Sequence, residues 1–292
     1  MLSVYIVGCG GIGGYLTDRL PQVISSLSLD VIERTGASIQ QYLDNAGNVA
    51  LPCVADRVVL VDGDTFDARN ALRQRRGSGA GGKLQARLTA MRHEMLHTSF
   101  LQRMELFGYN AYVTPDNIEQ VIPHSVPLNA GNEMNSMADT LLNIGMGRLL
   151  ATPVVMLAVD NMKTRYEISK YMETFDDCLV LNGGNSISKG HVTVYERRDG
   201  EALDPEIYRV YPEVNDTTDK RPDEMHCDEV APKHDQVAIT NAFVADVMMS
   251  RFVKWVHDGL DIETPSGVKT RYNEVTVDID QPSVMALYHP KG

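Results

Sequence analysis

No stretch of this 292-residue sequence stays apolar for the roughly 20 residues that a membrane helix needs, so no membrane partner is expected. Cysteine is scarce. Cys9, Cys53, Cys178 and Cys227 lie far apart with no C-x-x-C, a spacing that argues against a disulfide framework and against a zinc knuckle, so no structural zinc is expected. Positive charge is in deficit, with 27 Lys and Arg against 39 Asp and Glu and a net charge of −12. A nucleic-acid binder needs a basic field to release counterions from phosphates, so no nucleic-acid partner is expected either. The opening "MLSVYIV" lacks the basic region of a secretory signal and reads as a first strand, which makes the cytoplasm the expected location.

What is present is ordinary globular material, 43% hydrophobic and 23% charged. Short apolar runs alternate with amphipathic stretches, the mark of a mostly parallel sheet covered by helices. Strands are expected at Val4–Val7, Val58–Val61, Glu105–Val113, Val154–Val159, Leu179–Leu181 and His191–Tyr195. Helices are expected near Gly13–Leu20, Lys83–Leu96, Pro115–Val121, Asn161–Thr174 and Gln236–His257. The last carries too broad an apolar coat for a free surface helix. "NEVTVDIDQPSVMALY" alternates at period two around a turn and predicts a terminal hairpin. Residues 21–56 and 123–152 exceed what a plain crossover needs and are expected to be insertions. From Asp199 to Asp235, twelve acidic and four basic residues concentrate two-thirds of the net charge in what reads as a long, mobile acidic loop.

Function begins at "VYIVGCGGIGGYLTDRL". An apolar strand runs into Gly8, Gly10, Gly11 and Gly13 and then into a helix, the G-x-G-x-x-G turn whose backbone N–H groups and helix dipole face an anion. Dehydrogenases, methyltransferases, flavoproteins and adenylating enzymes all use such a turn, so it does not choose among them. "VVLVDGDTFDARNALRQ" narrows the choice. Asp62 stands where a ribose-binding acid is expected, Asp64 follows closely, and Asn70, Arg73 and Gln74 lie at fixed offsets ahead of Lys83. Arginine forks and a lysine point charge beside a sugar-binding acid suit a triphosphate. "GSGAGGK" imitates a P-loop, but Leu84 replaces the hydroxyl that such a loop needs and no strand leads into it.

The pair "GCGGIGG" and "DGDTFDARNALRQ" resembles the adenylyltransferases related to ubiquitin-activating enzyme, including the ThiF and MoeB enzymes. Gly82–Lys83, "VVMLAVDNMKTRYEISKYM", "NGGNSISKGHVTVY" and "HCDEVAPKHDQVAITNAFVADVM" continue the likeness in the same order, from Val4 to Phe252 apart from the two insertions. The resemblance implies a single domain over 1–292, a Rossmann-like α/β fold whose mostly parallel sheet has helices on both faces, and a homodimer. It also implies activation of the C-terminal carboxylate of a small protein or peptide by ATP, giving an acyl-adenylate and pyrophosphate. Carried over, the four glycines bound the nucleotide, Asp62 holds ribose with Asp64 beside it, Asn70, Arg73 and Lys83 engage phosphates, and Asp160 holds Mg²⁺. Gln74 and Arg165 brace the site.

Plainer uses exist for the same residues: Asp62 as a strand-end turn acid, Asp160 and Asn161 as a helix N-cap pair. Cys227 lies where relatives can carry a thioester-forming cysteine, but His226 would favour its thiolate and Asp228 and Glu229 would suppress it, so covalent and structural roles both stand. The relatives' partner-supplied arginine has no counterpart ahead of the first strand, so either another basic residue, Arg19 or one of Arg69, Arg75 and Arg76, replaces it or catalysis is weakened. An NAD(P)-linked oxidoreductase and a nucleotide-binding scaffold without turnover remain as alternatives.

Overall fold

A computed structural model describes residues 2–35, 53–66, 82–98, 101, 104–124, 152–215, 219–221, 224, 238–259, 272–281 and 283–290. They form a nine-stranded sheet from β1 (Leu2–Val7), β2 (Ala55–Val61), β3 (Glu105–Tyr109), β4 (Pro153–Leu157), β5 (Cys178–Asn185), β6 (Lys189–Arg198), β7 (Glu201–Ala202), β8 (Glu274–Asp278) and β9 (Ser283–Leu287). The order is β3-β2-β1-β4-β5-β6-β8-β9, with β7 paired to β6 off this path. The first five strands are mutually parallel; from β6 onward every pairing is antiparallel. The expected α/β sheet and terminal hairpin are both present.

The parallel strands are buried on both faces, which is why they read as unbroken apolar runs. Along β1, Val4 and Ile6 face one core while Tyr5 and Val7 face the other. The first core is covered by α1 (Gly11–Thr35), α2 (Lys83–Leu96) and α6 (Ala238–Gly259). The second lies under α3 (Ile118–Val121) and α4 (Met162–Met172), and a short helix α5 (Ile207–Val210) leads into a 3₁₀ turn at Pro212–Asn215 that packs on α4.

Three boundaries differ from expectation. Helix α1 does not stop at Leu20 but runs through Pro21 to Thr35, so the first interruption is shorter than the sequence suggested. Leu16, Leu20, Ile24, Leu27 and Val31 form one buried stripe along it. Burial of each such side chain contributes roughly 1.5–3 kcal/mol, so the stripe outweighs the ~3 kcal/mol that an interior proline costs. Strand β3 ends at Tyr109, and the following segment turns helical only at Ile118. The stretch 199–215, expected as a mobile loop, is an ordered strap: Asp204, Ile207 and Val214 are buried in it. Of the second insertion, residues 125–151 lie outside the described residues.

Because β1 lies between β2 and β4, the chain crosses the sheet in opposite directions on its two sides. That reversal leaves a crevice at the carboxyl ends of β1 and β4, where open α/β sheets bind their ligands.

Candidate functional site

A cavity of about 790 Å³ opens over that crevice. It is floored by the ends of β1, β2, β4 and β5 and reaches across to β8 and β9, where Thr276, Asp278 and Met285 line it.

At the β1 end, Gly8 adopts φ of +90° and a Cβ there would lie 2.7 Å from the Ala158 carbonyl oxygen. A Cβ on Gly13 would lie 1.7 Å from the Gly8 carbonyl oxygen. Glycine at these two positions therefore lets the chain reverse at the end of β1 and lets α1 start directly against it. Gly10 and Gly11 line the cavity at the N-terminus of α1, where the first-turn N–H groups have no intrahelical acceptor.

Asp62, at the end of β2, ties this turn down. Its Oδ2 accepts the Cys9 N–H at 2.6 Å and its Oδ1 accepts the Asp64 N–H at 2.7 Å. Burial pushes its carboxyl pKa up, against the opposing pull of Lys83 and the two N–H donors. Asp64 accepts in turn from Lys83 Nζ at 2.8 Å and from the Tyr112 hydroxyl. Lys83 opens α2 after Gly82, which pairs with Thr65 in an isolated bridge, so the loop's two ends are brought together beside the crevice. One turn on, Arg87 is fully buried and donates from Nε to the Cys9 carbonyl at 3.3 Å. The Cys9 thiol, buried in the turn beside Asp62, has its pKa raised by burial and is not a nucleophile at neutral pH.

At the end of β4, Asp160 is exposed at the cavity and makes no hydrogen bond with the described residues, while Asn161 caps α4 by accepting the Thr164 N–H at 2.8 Å. The plainer cap reading thus holds for Asn161 alone. Asp219 comes across from the acidic segment to accept the Met162 N–H at 2.6 Å. Arg165 is fully enclosed. It donates to the Asn182 side chain, to the Val159 carbonyl, and at 2.9 Å to the Gly183 carbonyl, linking the segment after β4 to β5. Burial lowers its pKa to about 10, against the raising effect of Asp160 and Asp219.

Farther along, His191 stacks on Tyr211 with ring centroids 5.2 Å apart. The Tyr211 hydroxyl donates to Glu274, whose other oxygen is 2.5 Å from His289 Nε2. Burial, reinforced by the Arg165 guanidinium, pulls the His191 pKa down to about 4 against the carboxylates of Glu274 and Glu213.

Gly8, Gly10, Gly11, Asp62, Asp64, Lys83 and Asp160 are thus brought to one cavity, with Gly13 supporting it from behind. Asn70, Arg73, Gln74 and Cys227 lie outside the described residues, as do Arg69, Arg75 and Arg76. Arg19 pairs with Asp246 at 2.6 Å on the α1–α6 surface and is not part of this cavity's wall. Tyr112, Arg87 and His191 escaped the sequence reading. Arg87 alone left a signal, standing four residues after Lys83 and so on the same helical face.

Among the described residues no three His, Cys, Asp or Glu side chains converge to cage a metal. Magnesium does not require such a cage, since one carboxylate with phosphate oxygens and waters completes its octahedron. The Asp160 carboxylate, which hydrogen-bonds to none of the described residues, fits that role.

No family profile and no curated protein matches the chain in sequence. Solved structures do match its fold. E. coli MccB with MccA superposes at a TM-score of 0.55 with 11% identity, covering 99% of this chain and 64% of that one. E. coli MccB with ATP gives 0.55 at 12%, with the same coverage. PaaA gives 0.51 at 12%, covering 99% and 64%. The chain therefore spans just under two-thirds of the length of these proteins and shares their fold.

Proposed function

We propose that this protein is an ATP-dependent adenylyltransferase that activates the C-terminal carboxylate of a small protein or peptide. The observation that carries the reading is the convergence of a helix N-terminus, the buried Lys83 ammonium and the open Asp160 carboxylate on one crevice. That set suits a polyanion with a metal; a nicotinamide dinucleotide would leave Lys83 and Asp160 without work. The fold shared with MccB, a protein seen with ATP and with MccA, supports both halves of the proposal.

In the reaction a carboxylate oxygen attacks the α-phosphorus, a new P–O bond forms, and the bond to the bridging oxygen breaks with its electron pair leaving on pyrophosphate. No proton has to move. Two anions must meet, so charge neutralisation and alignment dominate, and one preorganised cationic contact is worth roughly 3 kcal/mol. The first-turn N–H groups of α1 and Lys83 receive phosphate oxygens, Asp62 holds the ribose beside the glycine turn, and Asn70 and Arg73 complete the phosphate contacts with Gln74 bracing them. Mg²⁺ on Asp160 would draw negative charge from the phosphates. Arg165 keeps the β4 and β5 ends in register around the reacting centre. The same resemblance that suggests this chemistry implies a homodimer.

The test is ATP–pyrophosphate exchange in the presence of synthetic C-terminal tails. Exchange that depends on a tail with a free carboxylate is expected. ATP binding without exchange for any tail would leave a scaffold, and binding of NAD(P)H in place of ATP would overturn the reading.

A further inference from the structure

We propose that Asp64 parks Lys83 in the nucleotide-free protein and that Tyr112 is the positioning residue that lets the lysine leave when a triphosphate arrives. This rests on the ATP-binding half of the function above and adds a residue to it.

The Lys83 side chain is only 10% exposed, and an ammonium so enclosed needs an anionic partner. Asp64 supplies one at 2.8 Å. A triphosphate entering the cavity offers Lys83 a second, stronger partner and at the same time repels the Asp64 carboxylate. Lys83 leaves more readily the better Asp64, about a third of whose side chain is exposed to water, stays satisfied without it. The Tyr112 hydroxyl, donating to the other Asp64 oxygen, keeps it so. Its ring is held in place from two sides. Gly63 leaves room for it, since a Cβ there would lie 2.9 Å from the ring, and Asn117 fastens the backbone by donating to the Tyr112 carbonyl at 2.9 Å and accepting the Thr114 N–H at 2.8 Å. Removing the hydroxyl concentrates charge on Asp64, tightens its hold on Lys83 and makes the exchange of partners costlier.

The experiment is calorimetric titration of ATP into the full chain as wild type, Tyr112→Phe, Asp64→Asn and the double variant, with thermal midpoints measured alongside. Tyr112→Phe is expected to weaken ATP binding about tenfold, the scale of one charge-assisted hydrogen bond. Asp64→Asn, which frees Lys83, is expected to bind at least as tightly as wild type. In that background the tyrosine change should alter affinity by less than about twofold, since the coupling partner is gone. Wild-type affinity in Tyr112→Phe, or equal weakening in both backgrounds, overturns the proposal. Intact ATP binding without exchange sinks the enzyme reading and leaves this one standing, whereas a wild type that binds no ATP sinks both.

Discussion

The Cys9 N–H and the Asp62 carboxylate meet at 2.6 Å across 53 residues of chain, and this bond fastens the glycine turn of β1 to the end of β2. Asp62 is nearly buried, and its second oxygen holds the Asp64 N–H. Asp62→Ala would leave the buried Cys9 N–H and the half-buried Asp64 N–H without their acceptors. Hydrogen bonds to a charged group contribute about 1.5–3 kcal/mol each, so a loss of about 3 kcal/mol or more is expected in urea unfolding. Asp62→Asn keeps one acceptor and should lose about half as much. An asparagine variant as unstable as the alanine one would show that the two bonds do not act separately.

Asp160 offers the opposite case. Its carboxylate is exposed and hydrogen-bonds to none of the described residues, so Asp160→Ala, which removes its electrostatic support of Arg165, should lower the free energy of urea unfolding by no more than about 1 kcal/mol. Pyrophosphate exchange should fall about a hundredfold or more if the carboxylate holds the metal. A variant that keeps its exchange rate removes Asp160 from the chemistry.

The glycine turn yields a prediction of rank. A Cβ on Gly13 meets the backbone oxygen of Gly8 at 1.7 Å, while one on Gly14 meets the Arg87 guanidinium at 2.3 Å. Backbone cannot yield there, but the end of an arginine side chain can. Gly13→Ala should therefore cost at least about 3 kcal/mol or prevent folding, and Gly14→Ala should cost about 1–3 kcal/mol, as overpacking does. Thermal unfolding of the pair checks the order; Gly14→Ala being the worse variant would contradict it.

What the sequence made legible was local. The glycine spacing, the acid at the end of the second strand and the Gly82 start of α2 each declare themselves within a few residues, and Lys83–Leu96 falls where its pattern places it. Pro21 misled because its local cost was set against nothing. The stripe that overrides it runs on to Val31, and its worth depends on the sheet beneath. Tyr112 and His191 could not be singled out. Each matters through a partner far away in sequence, Asp64 for one and Arg165 and Tyr211 for the other, and only the crossing of β-strand ends brings them together.

His191 gives the cavity a pH signature. Its pKa of about 4 in the folded protein lies below the ordinary histidine value of 6.5, because burial and then the Arg165 charge oppose protonation more than Glu274 and Glu213 favour it. The unfolded chain therefore binds the extra proton first as pH falls. The folded state holds its full advantage above about pH 6.5 and loses it progressively down to about pH 4, by roughly 3–4 kcal/mol if the whole shift is expressed. Asp62 and Glu167 act in the contrary sense, since burial raises both their pKa values and protonation then favours the fold. The contribution of His191 is best isolated by difference: urea unfolding from pH 7.5 to 4 for wild type and for His191→Gln, which cannot titrate. The wild type should lose stability more steeply through this window, and the two curves should run parallel above it. Parallel curves throughout would mean that the ring takes up its proton inside the fold as easily as outside, and that the cavity wall around it is wet.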